Sequence, residues 1–169
     1  MLIDIRTISQ CTGASVAIER EISPEELPFS AQDYHLTRAL VFRGQLQNDG
    51  DGILSLTGQI QTAYAGECAR CLAPVVRDLD VALTEAFFPA KDADKAAGKD
   101  SYVYEGSQLD ISQAIRDNLV LSLPPRLYCR EDCRGLCPVC GADLNQTDCG
   151  CAAAREGKAS PFDQLRKLL

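Results

Sequence analysis

Tryptophan is absent from this chain, methionine and histidine occur once each, and aromatic residues make up 6% of 169 positions. The single histidine, His35 in "AQDYHLT", has no nucleophile motif beside it, which removes the usual triads and histidine-assisted cysteines. No phosphate-cradling glycine loop is present, because "NDGDG" (48–52) has neither the spacing nor the lysine of a P-loop. Apolar runs such as "LVLSLPP" (119–125) are far too short to cross a bilayer. The opening "MLIDIRTISQ" places Asp4 and Arg6 where a secretory signal needs an apolar stretch. These absences lead to the expectation of a cytoplasmic, noncatalytic protein with neither a membrane nor a small-molecule substrate as partner.

An excess of positive charge is also lacking. The net charge of −7 argues against broad, nonspecific binding to nucleic acid, which needs a cationic surface. The balance is uneven, however. From Pro124 to Leu169 seven basic residues face six acidic ones, whereas the first 123 residues carry ten basic and eighteen acidic. Only the C-terminal part can approach RNA without strong repulsion.

Cysteine, by contrast, is plentiful: nine in all, five of them within "CRGLCPVCGADLNQTDCGC" (133–151). In a reducing compartment a regular cysteine pattern points to metal or redox work rather than to a disulfide framework. "CPVC" followed by Gly141 has the spacing of a zinc-knuckle turn, with Cys149 and Cys151 close behind. Cys137, Cys140, Cys149 and Cys151 are thus the first candidate set of ligands, and four sulfurs leave no open position for catalysis. A second site is expected from Cys68 and Cys71 of "CARC" with Cys129 and Cys133 of "CREDC". A competing grouping joins Cys133 to the 137/140 pair and leaves Cys129 spare. The cofactor expected is therefore zinc, one ion or two. Cys68–Cys71 also admits a redox-sensing reading, although the chain lacks the βαβ alternation that goes with a dithiol catalyst.

The remainder reads as an α+β protein: an antiparallel β-meander or partly closed barrel, with one main helix and a C-terminal cysteine-rich zinc-binding segment. "LIDIRTI" (2–8) alternates as a strand, and "SPEEL" (23–27) has the residues of a short helix start. "ALVFRGQLQ" (39–47) and "GILSLTGQIQTAY" (52–64) flank the "NDGDG" turn and predict a hairpin, with Gly44 and Gly58 as bulges. "PVVRDLDVALTEAFF" (74–88) extends it, 89–100 reads as a mobile loop, and "YVYEG" as a short strand. A helix is expected over 111–121, capped by Asp110 and stopped by Pro124–Pro125. The division expected is 1–123, a β-rich core, and 124–169, a cysteine-rich segment ending in the amphipathic tail "SPFDQLRKLL". No internal repeat is evident.

Taken together, these motifs resemble the YceD family, the large ribosomal RNA subunit accumulation proteins of bacteria. The resemblance is carried by Cys68, Arg70, Cys71, Leu72 and Pro74, by Gly135 through Asn145, by Cys149 and Cys151, and by Pro161, Phe162 and Leu165. It implies a part in producing or maintaining 23S ribosomal RNA, hence in large-subunit assembly, and implies no enzymatic activity. The partner expected is ribosomal RNA or a large-subunit assembly intermediate, met by Arg70, Arg130 and Arg134 on metal-fixed loops. Phe162 and Leu165 of the tail are the candidate contacts to a protein partner. A zinc-ribbon adaptor that binds protein alone is the alternative, alongside the redox sensor.

Overall fold

The computed structural model describes residues 1–26, 34–96 and 101–151. In chain order the elements are β1 (Leu2–Asp4), α1 (Arg6–Ser9), β2 (Ser15–Ile22), β3 (Tyr34–Leu36), β4 (Leu40–Gly50), β5 (Ile53–Glu67) and β6 (Pro74–Pro89). A 3-10 turn (Ala90–Asp92), α2 (Ala93–Ala96), β7 (Tyr102–Tyr104), β8 (Gln108–Asp110) and α3 (Ser112–Ser122) follow. The fold is α+β, mostly strands with one main helix. The large sheet runs β2-β4-β5-β6-β7, with β3 on β5, and is open rather than closed into a barrel. Among the described residues no helix is long and apolar enough to cross a membrane.

Two compact units divide the chain: Met1–Gly66 with Val76–Pro125, and Glu67–Val75 with the chain from Arg126 onward. The connection between β5 and β6, with its "CARC", therefore belongs to the second unit.

In the first unit the central hairpin follows the alternation of its sequence. Leu40, Phe42 and Leu46 of β4 are buried with Leu54, Leu56 and Ile60 of β5, all at 1% exposure or less. Asp51 and Gly52 turn the chain with positive φ, the conformation that Asn-Asp-Gly sequences tolerate. Gly44 and Gly58 are not bulges: they face each other in register, and the register shift lies between Asn48 and Gly50. Their lack of side chains makes room for a ring instead. A Cβ on Gly44 would stand 2.6 Å from Phe42 Cζ, and one on Gly58 2.8 Å from Phe42 Cε2.

Several local expectations are corrected. The first strand ends at Asp4, not at residue 8, because the Asp4 carboxylate accepts the Arg6 backbone N–H at 3.0 Å and turns the chain. Ile5 and Ile8 are then buried from a helical turn at i, i+3 spacing. Strand β2, with Val16, Ile18 and Ile22 on one side, escaped the sequence reading because Arg20 interrupts the alternation. Asp110 is not the residue at the cap position of α3. Ile111 is, while Asp110 Oδ1 accepts the Ser112 N–H at 2.9 Å from one residue further out. Ile111, Ala114, Ile115 and Leu119 are nevertheless fully buried, as the helical spacing requires. The stretch expected as a mobile loop contains the 3-10 turn and α2, and β7 pairs with β6 in parallel rather than antiparallel. "SPEEL" forms a turn at 24–26, where Ser23 Oγ meets Glu26 Oε1 at 3.2 Å. Its last residue and the tail "SPFDQLRKLL" lie outside the described residues.

One substitution tests the packing of the glycine pair. A Gly58→Ala side chain would also sit 2.6 Å from the Arg43 carbonyl oxygen, a backbone atom that cannot swing away. It should destabilise the chain by about 1–3 kcal/mol in urea unfolding. Unchanged stability would show that the strands part more easily than this packing allows.

Candidate metal centres

Cys68-Ala-Arg-Cys71-Leu-Ala73 and Cys137-Pro-Val-Cys140-Gly-Ala142 fold into the same turn. In each, the residue after the second cysteine donates its N–H to the carbonyl of the first, Leu72 to Cys68 and Gly141 to Cys137, both at 2.9 Å. The first cysteine in turn donates to the alanine carbonyl, Cys68 to Ala73 and Cys137 to Ala142, both at 2.8 Å. The residue after the second cysteine is left-handed in both, at φ 61 for Leu72 and φ 75 for Gly141. Glycine adopts that conformation freely, whereas leucine does so at a cost of roughly 1–2 kcal/mol. The repeat Cys-x-x-Cys-x-Ala was present in the sequence and went unread.

Each turn meets a second cysteine pair. The Sγ atoms of Cys68, Cys71, Cys129 and Cys133 all lie within 4.8 Å of one another, as do those of Cys137, Cys140, Cys149 and Cys151. Cys133 therefore stands with the central cysteines and not with the 137/140 pair, and Cys129 is not spare. Cys68 approaches Cys133 at 3.8 Å and Cys71 approaches Cys129 at 3.6 Å, so the close contacts run between pairs. Four thiolates on a tetrahedral ion with bonds of ~2.3 Å stand about 3.8 Å apart. Both sets fit such an ion, and each can hold one. None of the nine cysteines is in a disulfide.

Electrostatics within the sets favour a cation. Burial alone would raise the Cys68 thiol, but backbone N–H groups of Cys129, Arg70 and Cys71 outweigh it and lower it to about 6. Backbone N–H groups of Cys140 and Val139 lower Cys137 to about 6 as well. Other members of the sets are raised. Burial and then the neighbouring sulfurs push Cys129 up to about 12, and the side chains of Cys149 and Cys140, with burial, push Cys151 up to about 12. At Cys133 burial is outweighed by the Asn145 side chain and the Gly135 backbone N–H, so that thiol is lowered too, while Cys71 is raised. Each set thus mixes sulfurs prepared for charge with sulfurs that resist it, the pattern of sites that need a cation to ionise fully.

The loops that present the central pairs are tied by Arg70. Its Nη1 donates to the carbonyls of Glu131 at 3.1 Å and Cys133 at 2.9 Å, and its guanidinium carbon lies 4.7 Å from the centre of the Tyr128 ring. The Arg70 carbonyl accepts the Leu136 N–H at 3.0 Å. Arg130 bonds Asn145 Oδ1 at 2.8 Å and pairs with Asp132 at 3.2 Å. Arg134 is exposed, and it is its backbone N–H that bonds Asn145. Phe162 and Leu165 lie outside the described residues.

Fold and site together define an α+β protein with a distinct cysteine-rich unit carrying two tetrathiol clusters, each able to hold a metal ion. Residues 56–169 match the family described as Large ribosomal RNA subunit accumulation protein YceD, and the chain belongs to that family. An uncharacterized protein of Mycobacterium tuberculosis (strain H37Rv) is 33% identical over 147 residues, covering 85% of this chain and 70% of its own. The chloroplastic large ribosomal RNA subunit accumulation protein YCED homolog 1 of Zea mays is 28% identical over 146 residues, 69% of this chain and 50% of its own. Its Arabidopsis thaliana namesake is 36% identical over 66 residues, 38% of this chain and 21% of its own. No solved structure matches.

The central cluster depends on a close backbone approach that two glycines test. Gly135 has φ 76, and a Cβ there would lie 2.9 Å from the Arg70 carbonyl oxygen, whereas Gly141 at φ 75 has nothing within 4 Å of such an atom. Gly141→Ala should cost about 1 kcal/mol of stability through backbone strain alone, and Gly135→Ala about 2–4 kcal/mol through strain and collision. Equal losses in thermal or chemical unfolding would contradict the close approach.

Proposed function

We propose that this chain is a noncatalytic factor for the accumulation of 23S ribosomal RNA, acting in biogenesis of the large ribosomal subunit in the cytoplasm. The family name and the printed names of the plant relatives support the process. One observation carries the physical part. Among the described residues the large apolar core, from Ile5 to Leu119, is drawn wholly from the first unit. In the second unit the buried apolar side chains among the described residues are Val75, Leu127 and three cysteines, Cys68, Cys133 and Cys137. Such a segment has too little to bury to offset the entropy of ordering it.

Zinc supplies the missing stabilisation, held in one set by Cys68, Cys71, Cys129 and Cys133 and in the other by Cys137, Cys140, Cys149 and Cys151. Bound in a closed shell of four thiolates, it offers cross-linking and no catalytic position. The central set joins stretches 65 positions apart (Cys68 and Cys133), so closing it removes more chain entropy than closing the local one, by about 1 kcal/mol.

A fixed loop around Arg130 and Arg134 is then the surface offered to ribosomal RNA. Arg134 is the foremost contact, because Arg70 and Arg130 already serve neighbouring groups inside the unit. Phe162 and Leu165 remain candidates for docking to an assembly protein.

Elemental analysis of the reduced chain should find two zinc ions, falling to about one in both Cys68→Ser and Cys140→Ser. Cells lacking the protein should accumulate less 23S RNA, and Arg134→Ala should weaken crosslinking to that RNA while zinc content stays at two. A metal-free chain would overturn the zinc assignment, and normal 23S RNA levels would overturn the function. Reversible formation of a Cys68–Cys71 disulfide with zinc absent would favour redox sensing instead.

A further inference from the structure

Asn145 belongs to the stretch between Cys140 and Cys149, the chain enclosed by the C-terminal set, yet its side chain reaches the central set. Its amide nitrogen donates to Cys133 Sγ at 3.5 Å and to Asp143 Oδ1 at 2.7 Å. Its amide oxygen accepts from Arg130 Nη2 and from the Arg134 backbone N–H, both at 2.8 Å. With two acceptors on the nitrogen side and two donors on the oxygen side, only one orientation of the amide satisfies all four partners.

The position of Asn145 is in turn set by the chain of the C-terminal knuckle. Asp143 Oδ1 accepts the Asn145 N–H at 2.9 Å, and Leu144 donates to the Gly135 carbonyl at 2.9 Å. Leu136 and Asp143 form an antiparallel bridge, and Cys137 donates to Ala142 beside it. Whatever orders the segment from Cys137 to Cys151 therefore also orders the donor at Cys133.

We propose that Asn145 couples the two clusters, so that a metal ion in the C-terminal set slows loss of the ion from the central set. The inference rests on the reading that both sets hold a divalent metal. An N–H directed at a ligating sulfur stabilises the bound thiolate, and such outer partners are worth roughly tenfold or more in metal affinity. Linkage makes the effect reciprocal: an ion in the central set fixes Cys133 and so favours the conformation of the C-terminal loop. Asn145 acts through Cys133 and is a positioning residue.

The test is zinc release from the full-length reduced chain to a chromogenic chelator, after zinc content has been measured. Cys71→Ser identifies the phase belonging to the central set, and Cys149→Ser the phase belonging to the C-terminal set. Cys149→Ser and Asn145→Ala should each release the central ion about tenfold faster, with Asn145→Ala still starting from two ions. Combining them should add little, since both remove one interaction. Asn145→Asp keeps the oxygen used by Arg130 and Arg134 but sets a carboxylate oxygen against Cys133 Sγ and Asp143 Oδ1 in place of the N–H, so it should release the central ion at least as fast as Asn145→Ala. A central phase unchanged in Asn145→Ala, or accelerations that multiply in the double variant, would overturn the coupling while leaving two bound ions in place. A native chain that holds no metal would overturn the coupling and the zinc reading together.

Discussion

Sulfur must meet sulfur across long stretches of chain, and the second unit depends on that meeting. Cys71 and Cys129 are 58 positions apart and Cys68 and Cys133 are 65 apart, yet each pair closes to under 4 Å. Hydrogen bonds bring the same stretches together, Ala69 to the Leu127 carbonyl at 2.7 Å and Leu136 to the Arg70 carbonyl at 3.0 Å. A typical intramolecular hydrogen bond returns only about 1 kcal/mol net, comparable with the entropy of fixing one residue. A handful of them does not hold a segment that, among the described residues, buries so few apolar side chains. A cation shared by four thiolates, on the proposed reading, is the one interaction of sufficient size.

The first unit faces no such difficulty. Its core gathers residues from α1, the β2–β4–β5–β6 sheet, β8 and α3, with Phe42 lying across a glycine pair that lets two strands approach its ring. Hydrophobic burial on that scale is sufficient for a domain of this size. On the proposed reading one unit rests on apolar area and the other on metal-bound sulfur, so their responses to chelation should differ sharply. Leu72 belongs to the same economy: its left-handed backbone is tolerated because the knuckle turn around it is specified from both sides.

Legibility in the sequence followed the range of the interactions. The hairpin was readable because alternation and turn chemistry are local, as was the buried face of α3. Strand β1 was overextended because the Asp4–Arg6 turn competes with the ladder, and β8 was invisible because three residues paired with a strand more than a hundred positions away leave no pattern. Gly44 and Gly58 read as bulges in the sequence because a glycine in a strand signals either a kink or a close approach, and only the position of Phe42 distinguishes them. The cysteines were legible as pairs, since C-x-x-C spacing is local. Which pairs meet was open, because "CREDC" is as near to Cys137 in sequence as it is remote from Cys68. Asn145 could be seen as part of a motif, but its contact with Cys133 is a fact of three dimensions.

Hydrogen–deuterium exchange, read peptide by peptide with and without a strong chelator under reducing conditions, tests the central claim most directly. Removing the metal should abolish protection in 67–75 and 126–151 while β4, β5 up to Gly66 and α3 keep theirs. Equal protection of the cysteine-rich stretches before and after chelation would contradict the account, since that unit would then be holding itself together without an ion.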